Sequence, residues 1–293
     1  MTGRAGTHRP PVRGTTVLYH YLQKDLLPTD PALFEMLVVR LIAALGIWLH
    51  PTVYTTMPII LPFAARDPQS RGDKSRGIPD QWGSADEHGN FRDDNSLVKG
   101  IPRSLPILSP RTSIYFGRRM GSGFVASHVW REVSVTDLAA RNWKLYSFVP
   151  NLVWLPADVA ALSDREGSFV QTFLQALSLR IYRTHRPPAS LANLSDEAWG
   201  LLPRPPPISD AGLPEPSTLN YFEPSQAWFD RRLRTLAGVV EGLVRLESGD
   251  ASGKILSSRY APSLAQLPIG TRASLQQRLG GYLEAVRSAR GPG

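Results

Sequence analysis

The sequence contains no cysteine in its 293 residues. That excludes disulfide staples, a thiolate nucleophile, cysteine-ligated zinc and iron–sulfur clusters. It fits the reducing cytoplasm expected for this chain, although a protein without thiols is indifferent to redox state. Long uncharged apolar runs are missing as well. The most apolar stretch, 33–49, carries Glu35 and Arg40 and ends at His50-Pro51. A membrane span needs about 20 nearly uncharged residues, so this stretch reads as a buried helix and no membrane association is expected. Residues 1–14 are basic with prolines, and no apolar segment follows directly, so a secretory signal is not expected. A P-loop, a GxSxG elbow and an HExxH helix are all absent, and Gly121-x-Gly123 precedes a strand, the wrong setting for a dinucleotide fingerprint.

Acidic residues are in deficit. Lys plus Arg number 33 against 25 Asp plus Glu, for a formal net charge of +8. The excess is mostly arginine, which stays ionised and pairs bidentately with phosphate, so nucleic acid is the expected partner. An arginine excess also keeps a protein soluble whatever it binds.

Along the chain, Asp30-Pro31 is a helix start, with Asp as cap and Pro at the first helical position. Leu33, Phe34, Leu37, Val38, Leu41, Ile42 and Leu45 follow at helical spacing, and Pro51 closes the segment. Residues 52–63 are β-branched and aromatic and read as a short strand or extended segment. From 66 to 99 the chain is charged, with no apolar periodicity, and reads as a long loop, ordered or poorly ordered. Residues 105–116 and 123–133 read as strands joined by a glycine turn. Pro156 can open a short helix. Ser163 and Glu166 have capping-box spacing ahead of a helical run from Phe169 to Ile181. The proline-dense segment 187–225 reads as a linker or strap, and helices are expected near 226–246 and 274–287. No internal repeat is present.

One stretch carries chemistry. Gly123-Phe-Val-Ala-Ser-His128-Val-Trp-Arg131 reads as a strand ending in a histidine, and Asn151-Leu-Val-Trp-Leu-Pro156 follows 23 residues after that histidine, leading into a helix. This arrangement resembles the HNH, or ββα-metal, nucleases. The resemblance implies that His128 activates water, that Asn151 fixes the turn and orients the histidine, and that the following helix supplies a metal ligand. The helix reads Ala157-Asp158-Val159-Ala160-Ala161, so Asp158 is the ligand it can offer, with Asp164 next. Ser127 stands where many members carry an acid. The resemblance covers about 60 residues, 123–183. Phosphodiester hydrolysis needs a base near neutral pH and a divalent cation to offset charge on the phosphate. The implied cofactor is therefore Mg²⁺, with Mn²⁺ or Zn²⁺ as alternatives. Read without the resemblance, His128 is a histidine in a strand beside Trp130, and Asn151 a turn residue after proline.

Arg131, Lys144, Arg165, Arg180 and Arg183 are the candidate phosphate contacts, and the aromatic residues beside basic ones (Trp130, Trp143, Tyr146, Tyr182) can stack on exposed bases or simply fill a core. Asp93-Asp94-Asn95 with Lys99 invites comparison with PD-(D/E)xK nucleases, but the position two before Lys99 is Leu97. The run reads equally as an Asx-rich turn. His8, His20, His50, His88 and His185 are scattered without metal-ligand spacing.

The expectation is an α+β protein with a ββα-metal-like core at 105–186, between an N-terminal helical and loop-rich region (1–104), a Pro-rich strap (187–225) and a C-terminal helical region (226–293). Its expected activity is divalent-metal-dependent DNA cleavage in restriction or phage defence. The other reading is a non-catalytic DNA-binding or assembly protein on a degenerate ββα frame. A homo-oligomer or a larger defence complex is the expected setting.

Overall fold

The computed structural model describes residues 30–70, 75, 89–134, 136–163, 167–208, 212–249 and 264–290. The chain is α+β. Helix α1 (Pro31–Leu45) starts as expected, with Asp30 Oδ1 accepting from the Ala32 and Leu33 amides at 2.9 and 3.1 Å. It buries Phe34, Val38 and Ile42 on one face but leaves Leu33, Leu37 and Leu41 nearly half exposed. It is therefore an amphipathic cover and not a buried helix. Gly46 ends it, and the apolar run continues as strand β1 (Ile47–Leu49), fully enclosed.

Pro51 opens a helix instead of closing one. Helix α2 (Pro51–Thr56) occupies the segment that reads as a strand, because the His50 ring caps it through Nδ1, accepting from the Thr52 amide at 3.2 Å, and proline is favoured at a first helical position. Strands β2 (Ala64–Arg66) and β3 (Phe91–Asp93) pair in parallel, and α3 (Ser96–Gly100) follows. Of the expected strand at 105–116 only β4 (Ile107–Leu108) forms. Then come β5 (Phe124–His128), α4 (Trp143–Tyr146), β6 (Leu152–Pro156) and α5 (Ala157–Ala160). Helix α6 (Phe169–Tyr182) is capped by Ser168, whose Oγ accepts from the Gln171 amide at 3.2 Å. The expected cap, Ser163, instead donates its hydroxyl to the Ala160 carbonyl, and its partner Glu166 lies outside the described residues.

The proline-dense segment hides a helix, α7 (Ala189–Leu201). It begins directly after Pro187-Pro188, where proline is compatible with a helix start, and the remaining prolines cluster behind it. Strand β7 (Asn220–Phe222), α8 (Gln226–Glu247) and α9 (Ile269–Arg290) complete the chain. Arg290, at the end of α9, pairs with Asp230, near the start of α8, at 2.7 Å, so these two helices run antiparallel.

The larger sheet has five strands in the order β4-β7-β1-β6-β5, with β1 and β7 parallel and the other pairs antiparallel. It draws strands from three of the four sequence segments, so the boundaries at 104 and 186 mark changes of composition within one sheet. Buried aromatics brace the sheet and the segments around it. Trp154 meets Phe222 edge-on at 5.3 Å, Tyr182 donates to the Leu49 carbonyl at 2.6 Å, and Tyr282 donates to the Ile59 carbonyl at 2.6 Å. Asn220 stands at the sheet centre, 3% exposed, and its Nδ2 donates to the Ala44 and Gly46 carbonyls at 2.9 and 3.1 Å. These bonds fix the α1–β1 corner. Asn220→Ala leaves two buried acceptors unpaired and is expected to cost about 2 kcal/mol in urea unfolding with an unchanged m-value; a loss below about 0.5 kcal/mol would show that the corner does not need it.

Candidate functional site

Strands β5 and β6 are antiparallel, with Phe124 opposite Pro156 at one end and His128 opposite Leu152 at the other. The chain between them, 129–151, leaves and returns at the His128 end. Asn151 closes this neck. It is fully buried, its Oδ1 accepts from the Trp130 amide at 2.7 Å, and its Nδ2 donates to the Leu145 carbonyl at 3.1 Å. One side chain thus ties the outgoing limb of the loop to the returning limb. The returning limb is also held from below, where Ile60 N donates to Ser147 O at 3.1 Å and Val149 N to Pro58 O at 2.9 Å.

The carbonyl next to the one Asn151 grips belongs to Tyr146, and it meets His128 Nε2 at 2.9 Å. A carbonyl only accepts, so Nε2 carries the hydrogen and the neutral ring keeps its lone pair on Nδ1. The Tyr146 ring stacks on the imidazole, with centroids 5.7 Å apart and planes 25° apart. His128 is 9% exposed. Burial lowers its pKa to about 4; the bond to Tyr146 opposes that shift, and the Arg66 charge adds to it. The ring is therefore neutral at physiological pH.

Behind His128 lies a pair that the sequence does not announce. Tyr146 donates its hydroxyl to Asp93 Oδ2 in a short hydrogen bond. Asp93 is 1% exposed and also accepts from the Leu97 amide at 3.1 Å. Burial raises the Asp93 pKa, against the pull of the Tyr146 hydroxyl, while burial and the Asp93 charge push the Tyr146 phenol well above its usual value. Asp94 Oδ1 accepts from Ser96 N at 3.0 Å, and Asn95, in the left-handed region at φ 80°, donates Nδ2 to the Ala126 carbonyl at 3.0 Å. The Asp93-Asp94-Asn95 run is thus a turn that closes onto β5 and not a PD-(D/E)xK centre, since protein donors already occupy the Asp93 carboxylate.

The expected metal ligand is elsewhere. Asp158 is exposed in the first turn of α5, two residues beyond Pro156. Four residues of strand separate Leu152 from Pro156, roughly 13 Å at the rise of an extended chain. The register therefore puts Asp158 at the opposite end of the strand pair from His128, and the two do not form one cation site. Among the described residues no three His, Asp or Glu side chains converge as a metal cluster. His128 and Asp158 therefore do not together hold a divalent cation. Asp164 and Arg165 lie outside the described residues.

The expected phosphate contacts divide. Arg131 is half-buried and its carbonyl accepts from Ala139 N at 2.7 Å. Lys144 pairs with Glu197 at 2.6 Å. Arg180 pairs with Glu215, and Arg183 lies over the Trp199 ring, 5.1 Å from its centroid. Both line a groove of about 930 Å³ between α6, α7 and the strap Pro203–Ile208. Trp130, Tyr146 and Tyr182 are buried to 1% exposure or less, so they serve the core and not as stacking platforms for bases.

No described helix is long and apolar enough to cross a membrane. Comparison with protein-family models, curated proteins and solved structures gives no match.

The His128 environment has a measurable consequence. The unfolded ring titrates near 6.5 and the folded ring near 4, so the unfolded state binds the extra proton between those values. Stability is intact above 6.5 and falls as pH drops toward 4, by up to about 3 kcal/mol. Asp93, with its raised pKa, acts with the opposite sign, so the comparison is made against His128→Gln, which keeps Asp93 and a donor for the Tyr146 carbonyl. The wild-type curve is expected to fall more steeply than the variant's over this window; parallel curves would show that His128 is not held neutral.

Proposed function

We propose that this chain is a divalent-metal-dependent DNA endonuclease built on a ββα frame, with His128 as its general base. One observation carries the reading. His128 is held through Nε2 by the Tyr146 carbonyl, beside the Leu145 carbonyl that Asn151 grips, which leaves the Nδ1 lone pair as the basic atom of a neutral ring. In the reaction a water O–H gives its proton to Nδ1, its oxygen bonds to phosphorus, and the ester P–O bond to the leaving sugar oxygen breaks, that oxygen taking a proton from solvent. A base that titrates near 4 is weaker than the near-neutral one such hydrolysis favours, so its contribution depends on a rise in pKa when substrate binds. The phosphate's negative charge favours the protonated ring and raises its basicity as substrate binds.

Asn151 acts as a positioning residue for the base. Arg131, Lys144, Arg180 and Arg183 would hold the backbone. A cation would offset charge on the phosphate, although Asp158 stands apart from His128. The restriction or phage-defence role, the cytoplasmic location, and work as a homo-oligomer or in a larger defence complex belong to this reading through the HNH resemblance alone.

The separation of Asp158 from His128 favours a second reading, a DNA-binding or assembly protein that keeps the frame without the chemistry. Nicking of supercoiled plasmid in Mg²⁺ or Mn²⁺, with an EDTA control, distinguishes the two. The endonuclease reading expects nicking that EDTA abolishes and that His128→Ala lowers by at least about 100-fold with DNA binding retained. Nicking that survives His128→Ala removes His128 from the mechanism, and binding without any nicking favours the second reading.

A further inference from the structure

The groove beside α6 carries two of the arginines the hydrolytic reading uses, together with Arg204 and a proline wall that it leaves unused. Its cationic rim is Arg180, Arg183 and Arg204, with Asp196 the one carboxylate among its described lining residues. Arg180 in α6 and Arg183, its C-cap, are three residues apart with helical backbone between them and so project from one side. Arg183 rests on the Trp199 indole, a placement that orders the guanidinium while leaving its edge donors free to meet an anion. The Arg180–Glu215 pair is exposed on the Glu215 side, 67% for that side chain. Exposed pairs of this kind are weak, so a phosphate can displace the carboxylate.

The floor and far wall differ in kind. Leu179, Ala176 and Leu213 are apolar, and the wall is Pro203 to Pro207, in which each proline offers an apolar ring and a carbonyl but no N–H. Such a wall packs against flat rings and accepts from exocyclic amines. A duplex offers this groove only its outer phosphates, because its bases are stacked inside. An unpaired strand offers both phosphates and base faces.

The groove is also joined to the candidate base. Trp130 lies two residues beyond His128; its amide is held by Asn151, and its indole N–H donates to the Pro203 carbonyl at 2.9 Å. The strap and the His128 loop therefore share an anchor.

We infer that this groove binds an unpaired stretch of nucleic acid, phosphates on Arg180, Arg183 and Arg204, bases against the proline strap and Leu179. The inference rests on the nucleic-acid reading above but not on hydrolysis. It supplies that site with its strand: the groove holds single-stranded DNA next to the His128 loop.

The test is fluorescence anisotropy with a labelled twelve-nucleotide oligo-dT and a blunt duplex of equal length, across a salt series. The triple variant Arg180→Ala/Arg183→Ala/Arg204→Ala is compared with wild type, with His128→Ala, and with Arg234→Ala/Arg245→Ala on α8 as a charge control. Arg183→Ala and Arg204→Ala alone guard against misfolding of the triple variant. Expected are a loss of oligo-dT affinity of at least about tenfold and a salt slope smaller by about 2, from three lost phosphate contacts. Duplex binding should change less than about threefold, and the α8 and His128 variants should bind as wild type. Oligo-dT affinity within about twofold of wild type, or equal losses for duplex and oligo-dT, would overturn the inference. Plasmid nicking in the same preparations separates the claims. Groove-dependent binding without nicking sinks the endonuclease reading and leaves the groove, and nicking with no groove dependence does the reverse.

Discussion

The buried amide of Asn151 is the constraint on which the candidate site depends. An amide group sealed from water must have both its halves satisfied, since an orphaned buried donor or acceptor costs about 1–3 kcal/mol. Here the oxygen takes the Trp130 amide and the nitrogen gives to the Leu145 carbonyl. Meeting that demand fixes the two limbs of a long loop at the mouth of the β5–β6 pair. With the limbs fixed, the next carbonyl along, Tyr146, can hold one tautomer of His128, and Trp130 can anchor the proline strap. No aspartate or leucine of similar size meets both demands: a carboxylate lacks the donor, and an isobutyl group lacks both halves.

Burial of the site follows from the same loop. Tyr146 covers the imidazole with its ring and sends its hydroxyl inward to Asp93, so β3 and the turn at 93–95 form the back wall. Here the Asp93 carboxylate is taken up by the Tyr146 hydroxyl and the Leu97 amide. That explains why acidic residues close to His128 in space, Asp93 above all, are structural anchors here, and why the exposed Asp158 is not within its reach.

Much of this was legible in the residues. The α+β class, the capped start of α1, the run of α6 and the helix α8 all follow from local periodicity and caps. Those features survive because they are decided within a few residues of themselves. The misreadings share a cause too. Helix α2 was hidden by β-branched residues whose preference yields to a histidine cap and a first-turn proline. Helix α7 was hidden by flanking prolines that start it rather than break it. The strand histidine and Asn151 are visible as a motif, though Asn151 reads as a pre-helical residue and in fact precedes strand β6; Tyr146 and Asp93 are not visible as its partners, because a buried hydroxyl–carboxylate pair depends on packing between segments 53 residues apart. The distance from Asp158 to His128 was likewise invisible until strand register was known.

His128 is held as a neutral imidazole whose lone pair is on Nδ1. Nitrogen-15 NMR of the imidazole across pH tests it most directly. A protonated Nε2 and an unprotonated Nδ1 are expected from neutral pH downward, with titration only near pH 4. A hydrogen on Nδ1 at neutral pH, or a midpoint near the ordinary histidine value of about 6.5, would contradict it.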